Sequence, residues 1–168
     1  MSEGTSLAPL LGPLGDLLCD RDLKIAVAES ASAGLLAAAL ADLPEASTRF
    51  TGGVVAYTSQ SKERVLGLSS DIIELHGAVS SEVAEAMAVA VRTIFDADVS
   101  VAITGVAGPD TQDGQPVGLT YISAAGPGEV TMTREYRWTG GRASNRLASA
   151  EAAISLATEL LSPKTAGA

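Results

Sequence analysis

Along the chain, short apolar runs alternate with stretches in which apolar residues recur every three or four positions, the pattern of buried strands separated by amphipathic helices. Leu7, Leu10, Leu11, Leu14, Leu17 and Leu18 keep helical spacing, with Pro9 and Pro13 interrupting, so a short imperfect helix opens the chain. Lys24 to Ala28 predicts the first strand, which runs straight into Glu29, Ser30, Ala31, Ser32, Ala33 and Gly34 and then a helix from about Leu35 to Leu43, ended by Pro44. A second strand is expected from Gly53 to Tyr57. After it comes a short helix carrying Lys62, Val65 and Leu66, capped by Ser59 or Ser61 and stopped by Gly67. Ser69 or Ser70 starts another short helix through Leu75, and His76, Gly77, Ala78 and Val79 form a loop. Ser80 or Ser81 then caps a longer helix with an apolar stripe of Val83, Met87, Ala90, Val91 and Ile94. Val99 to Ile103 reads as a buried strand entering the turn Thr104, Gly105, Val106, Ala107, Gly108, Pro109. The polar segment Asp110 to Gln115 is expected to be an exposed, mobile loop. Pro116 and Val117 lead into a strand through Ser123, which the turn at Gly126, Pro127 and Gly128 joins as a hairpin to Val130–Trp138. A last helix from about Arg142 to Leu161 buries Leu147, Ala150, Ile154, Ala157 and Leu161.

Strands alternating with helices imply a parallel core sheet covered on both faces, and the late hairpin adds at least one antiparallel strand, giving a three-layer α/β/α sandwich. The chain reads as one domain over 1–168, with 1–22 as a helical extension and 162–168 as a frayed tail. In open sheets of this kind ligands sit beyond the carboxyl ends of the strands. Three polar segments leave strands at that edge: Glu29 to Gly34, Tyr57 to Lys62, and Thr104 to Pro109.

Charge and composition narrow the functions. The 168 residues carry 11 Lys+Arg against 20 Asp+Glu, a net charge of −9, which argues against a broad nucleic-acid surface but leaves room for a small anion in a local basic pocket. The one cysteine, Cys19, has no partner for an intramolecular disulfide, and neither a leader nor an apolar run long enough to span a membrane is evident; a cytosolic protein is expected.

The candidate chemistry starts with Ser30 and Ser32, placed where a strand turns into a helix and where unpaired N–H groups can polarise a carbonyl or hold a phosphate. Taken alone, one of these serines is better explained as a simple helix cap. The single histidine, His76, precedes a glycine in a loop and fits a structural role better than a Ser-His-Asp triad. Lys62 is the alternative base: a lysine accepts a proton near neutrality only where burial or a cation lowers its pKa from about 10.4, whereas a solvated helix lysine does not. Tyr57 either orients one of these partners or merely ends its strand. The turn at Gly105–Pro109 matches neither GxGxxG nor the P-loop. Arg142 and Arg146, four residues apart at a helix beginning, suit an anion clamp or a pair of surface charges. No Cys, His or carboxylate set has metal-site spacing.

These segments together resemble the CinA C-terminal domain family, whose stand-alone members are PncC-type nicotinamide mononucleotide amidohydrolases. The resemblance runs from about Lys24 to Leu161. It rests on AES at Ala28–Ser30, GGVVAYTSQSKERVLGL from Gly52, HGAVSSEVAEAMA from His76, AITGVAGPD from Ala102, PVG at Pro116, and Gly140-Gly141-Arg142 with Arg146. It implies a mixed, mostly parallel five-stranded sheet between helices and a metal-free, cofactor-free hydrolysis of the substrate's carboxamide. Ser30 would be the nucleophile, Lys62 the general base and Tyr57 an orienting hydroxyl. The N–H groups of Ala31, Ser32, Ala33 and Gly34 would be oxyanion donors, with Thr104, Gly105, Ala107, Gly108, Arg142 and Arg146 near a pyridine nucleotide. A homodimer is usual for such domains. Larger relatives add an N-terminal domain for which 168 residues leave no room. At the first turn the family usually reads Cys/Leu-Thr-Gly-Gly, so Ala33 replaces a glycine, a change without cost only where φ is negative. Gly140-Gly141-Arg142 replaces Gly-Asp-Arg, Leu147 and Ala148 stand where Arg and Gln often follow, and the loop from Pro109 to Pro116 is shorter. Two alternatives stand beside deamidation: a non-catalytic nucleotide-binding protein, and a Ser/Lys hydrolase of another small carboxamide.

Overall fold

The first strand, β1 (Ile25–Glu29), is buried at all five positions, as a strand covered by helices on both faces must be. It is an interior strand of a five-stranded sheet in the computed structural model, which describes residues 7–163. The order is β2–β1–β3–β4–β5, with β2 at Phe50–Val55, β3 at Val99–Gly105, β4 at Leu119–Ala125 and β5 at Thr131–Arg137. β2, β1 and β3 run parallel, and β4 is antiparallel to both of its neighbours, so four of the five strands point the same way.

The two faces of the sheet differ in residue size. Ile25, Val27, Val99, Val101, Ile103 and Ile122 face α1 (Ala8–Asp20), α2 (Leu35–Leu40) and α7 (Arg142–Leu161). Ala26, Ala28, Ala102 and Ala125 face α4 (Ser59–Leu66), α5 (Ser70–His76) and α6 (Ser81–Ile94). Alternation with period two assigns the large and small sets to opposite faces. The small set lets α6 come close enough for the buried Ser100 Oγ to donate to Ala88 O at 2.6 Å. The expected three-layer sandwich is therefore present.

Local chemistry sets the boundaries. α1 tolerates Pro13 because buried Leu11, Leu14 and Leu18 hold it in the core beside α7. β2 starts three residues earlier than Gly53 and stops before Tyr57. Its two glycines hide it from a pattern reading, yet both are needed: a Cβ on Gly52 (φ +137°) would lie 2.6 Å from the Phe95 ring, and one on Gly53 2.6 Å from Val27 Cγ2. The cap of α4 is Thr58 rather than Ser59 or Ser61; its Oγ1 accepts from Ser61 N, and Ser61 Oγ accepts from Thr58 N. Ser69 and Ser80 cap α5 and α6, and His76 closes α5 rather than opening the loop. α2 ends at Leu40, short of Leu43, and a four-residue helix, α3 (Ala46–Arg49), was not expected. Ile94 is exposed rather than part of the buried stripe. The expected tail lies, past residue 163, outside the described residues. Among those, no helix is long and apolar enough to cross a membrane.

Candidate active site

Beyond the carboxyl ends of β1 and β3, Ser30 follows β1 directly and is fixed by its own N–H, which donates to Ile103 O at 2.9 Å. Its neighbour across the site comes from α4. The Thr58–Ser61 cap starts that helix where Lys62 and Leu66, one turn apart, both face inward. Lys62 is 2% exposed, and its Nζ lies 3.1 Å from Ser30 Oγ. Among the described residues the amine has no other hydrogen-bond partner. An ammonium there would keep two of its three protons unsatisfied away from water, which penalises the charged form. Burial accordingly lowers the Lys62 pKa to about 8. Ser30 Oγ also lies 3.4 Å from the Tyr57 carbonyl, a long contact to which it donates.

The turn after Ser30 leaves two donors free. Ala33 N–H donates to Ser30 O, Leu35 N–H reaches Ser32 O at 3.4 Å, and Gly34 N–H donates to Glu29 Oε2 at 2.9 Å. Glu29, 0% exposed, also accepts from Leu36 N–H at 3.1 Å and Ala37 N–H at 2.7 Å, taking the orphan donors of the α2 start. The N–H groups of Ala31 and Ser32 have no acceptor among the described residues. Ala33 has φ +50°, so the alanine occupies the left-handed region where the family usually has glycine.

The first residues of α7 tie the site together. Arg142 donates through Nη2 to Tyr57 Oη at 2.6 Å and through Nη1 to Gly108 O. Asn145, buried, accepts from Gly140 N–H and donates to Ala107 O at 3.2 Å. Arg146 donates to Ser32 O from Nε at 3.2 Å and Nη2 at 2.9 Å. A cavity of about 310 Å³ opens in front of Ser30, lined by Ala31, Tyr57, Arg142 and residues 105–112.

The structure thus brings Ser30, Tyr57, Ala31, Gly105, Ala107, Gly108 and Arg142 together around one cavity, with Lys62 against Ser30. Ser32, Ala33, Gly34, Thr104 and Arg146 are not among the residues that line it. Thr104 Oγ1 donates to Ala78 O at 2.7 Å, and Ser32 Oγ is buried with no partner among the described residues, so Ser30 is the serine that faces both cavity and lysine. His76 lies elsewhere, 3.5 Å from Glu82. Glu29 and Asn145 are site residues that the sequence pattern does not single out. A glutamate closing an otherwise apolar strand, six residues before a helix start, is the available signal for the first; Asn145 gives none. Among the described residues, no three His, Cys, Asp or Glu side chains gather closely enough to hold a metal ion.

Fold and site define an α/β sandwich domain with a buried serine–lysine contact at the carboxyl edge of its sheet. The sequence pattern of the CinA C-terminal domain matches residues 8–161, and the chain belongs to that family. It is 46% identical over 151 residues to a protein of Desulforamulus reducens named for competence and damage induction, covering 90% of this chain and 36% of that one. It is 42% identical over 152 residues to a CinA-like protein of Frankia casuarinae, covering 90% and 35%. The chain therefore spans about a third of the length of these curated relatives. The crystal structure of a competence or damage-inducible protein from Enterobacter asburiae superposes with TM-score 0.90 at 28% identity, over 95% of this chain and 100% of that one. A CinA superfamily protein from Klebsiella pneumoniae gives 0.88 at 28% identity, over 92% and 97%.

Proposed function

We propose that the protein is a serine–lysine amidohydrolase that converts nicotinamide mononucleotide to nicotinic acid mononucleotide and ammonia. The observation that carries this reading is the 3.1 Å contact between Ser30 Oγ and a buried Lys62 Nζ whose pKa lies near 8. A neutral amine at that distance is an activated nucleophile's base. Rotation about the Ser30 Cβ–Oγ bond turns the hydroxyl proton from the Tyr57 carbonyl to the Lys62 lone pair. Ser30 Oγ then bonds to the carboxamide carbon, the carbonyl electron pair moves onto oxygen, and Lys62 takes the proton. The free N–H of Ala31, at the cavity wall, is suited to receive that oxyanion, with the Ser32 N–H next along the turn. Collapse of the intermediate breaks the C–N bond as Lys62 returns its proton to the leaving nitrogen, releasing ammonia. Water, deprotonated by the same amine, bonds to the acyl carbon; the second intermediate then breaks the ester C–O bond as Lys62 returns that proton to Ser30 Oγ, releasing the acid.

The substrate assignment comes from the family resemblance, and the cavity supports it. Its 310 Å³ sits at the small end of ligand sites, about 300–1,000 Å³, and Arg142 supplies a cation at its wall. Ammonia release from nicotinamide mononucleotide is the direct assay. Turnover that survives in both Ser30→Ala and Lys62→Ala would sink the assignment.

A further inference from the structure

Two side chains hold the turn that follows Ser30 without touching the Ser30 hydroxyl. Glu29 grips its far end through the N–H groups of Gly34, Leu36 and Ala37. Arg146 reaches from α7, 114 positions along the chain, and directs two N–H donors at one carbonyl, Ser32 O. Among the described residues this guanidinium has no carboxylate partner and makes no other hydrogen bond. Ser32 O shares its peptide plane with the Ala33 N–H, which donates to Ser30 O. Fixing that plane fixes the two before it, whose N–H groups, on Ala31 and Ser32, are the turn's free donors. The turn needs such a hold: Ala33 at φ +50° is in a region an alanine leaves readily, and the Leu35 N–H contact to Ser32 O is long at 3.4 Å. Charge-assisted, forked donation from an arginine is a strong alternative.

We propose that Arg146 is a positioning residue rather than a substrate ligand, holding the Ser32 carbonyl so that the N–H groups of Ala31 and Ser32 converge on the oxygen of the tetrahedral intermediate. This rests on the amidohydrolase reading. Donors aimed at a developing oxyanion bind the transition state better than the flat carboxamide, so their misplacement lowers kcat and spares KM.

The test uses the full chain as wild type, Arg146→Ala, Arg146→Lys and Ser30→Ala. One substrate is nicotinamide mononucleotide; the other is 4-nitrophenyl acetate, which needs the nucleophile and the oxyanion donors but no nucleotide recognition. Arg146→Ala is expected to lower kcat about 10- to 100-fold on both substrates. KM for the nucleotide stays within about threefold, and the pH inflection of the Lys62 ionisation does not move. Arg146→Lys, which keeps a donor for Ser32 O, recovers part of the loss. A raised nucleotide KM with an unchanged ester rate would place Arg146 on the substrate and overturn the proposal. Should Arg146→Ala fail to unfold cooperatively, the lysine variant decides: lowered kcat at constant KM supports the role, and wild-type kcat refutes it. Wild-type protein that turns over the ester through Ser30 but not the nucleotide removes the substrate assignment alone, and the ester rates then judge Arg146. If wild type turns over neither, both readings fall.

Discussion

Replacing Lys62 by methionine keeps an unbranched stem in the same buried space and removes the amine. Burial lowers the folded-state pKa from 10.5 to about 8. At about 1.4 kcal/mol per pKa unit, keeping the proton on Lys62 in the folded protein costs roughly 3 kcal/mol. Below pH 8 both folded and unfolded chains hold the proton, and the folded chain bears the whole cost. Between pH 8 and 10.5 the folded chain releases the proton first, so stability rises with pH. Above 10.5 the difference is gone. The variant forfeits the hydrogen bond to Ser30, worth about 1 kcal/mol. Lys62→Met is therefore expected to be about 2 kcal/mol more stable than wild type at pH 7, while abolishing hydrolysis, and to lose that advantage by pH 10. Urea unfolding of both proteins at the two pH values measures it, and other titrating groups cancel in the comparison. A stability difference that is the same at pH 7 and pH 10 would refute the reasoning, since only a proton bound differently by the folded and unfolded chains bends it with pH.

The same ionisation shapes catalysis: kcat/KM is expected to climb about tenfold per pH unit and level off above pH 8, and a flat profile from pH 6 to 9 contradicts Lys62 as base. Ala33→Gly relieves the left-handed alanine and is expected to raise stability by about 1 kcal/mol, read as a higher urea midpoint; no gain means the turn is not strained there. Glu29→Gln sets a side-chain NH2 against the helix-start donors, and the orphaned N–H is expected to cost about 1–3 kcal/mol together with activity, whereas unchanged stability would deny the carboxyl its role. Thr58→Ala removes the α4 cap and is expected to cost about 1 kcal/mol by thermal unfolding, with a fall in kcat as Lys62 loses its support.

Much of this was legible in the residues because periodicity and strand-end position are local properties. The last helix, Arg142–Leu161, agrees with the span expected from sequence, since a glycine pair before it and twenty residues of helix-forming sequence leave little choice. β2 was displaced because its side of the pattern is carried by Gly52 and Gly53, which have no side chain to show which face they belong to. α3 is a single turn with no buried residue and so no stripe to find. Ser30, Tyr57 and Lys62 were visible as residues at the right edge, but their meeting depends on the angle at which α4 leaves the sheet. Glu29 looked like one acidic letter in a strand, because its partners are backbone N–H groups up to eight positions downstream. Asn145 depends on Gly140 and Ala107, contacts that no local pattern announces.

The loop Asp110–Gln115 pairs only with itself: Gln112 and Gln115 exchange both backbone hydrogen bonds, and among the described residues no strand or helix outside it shares one. Yet Asp110, Thr111 and Gln112 form part of the cavity wall. On the amidohydrolase reading, part of what a substrate meets is thus held by a segment separable from the serine–lysine contact. Under that reading, recutting this flap in length or composition is expected to change which small molecules enter the cavity while the serine, the amine and the turn beside them keep their places.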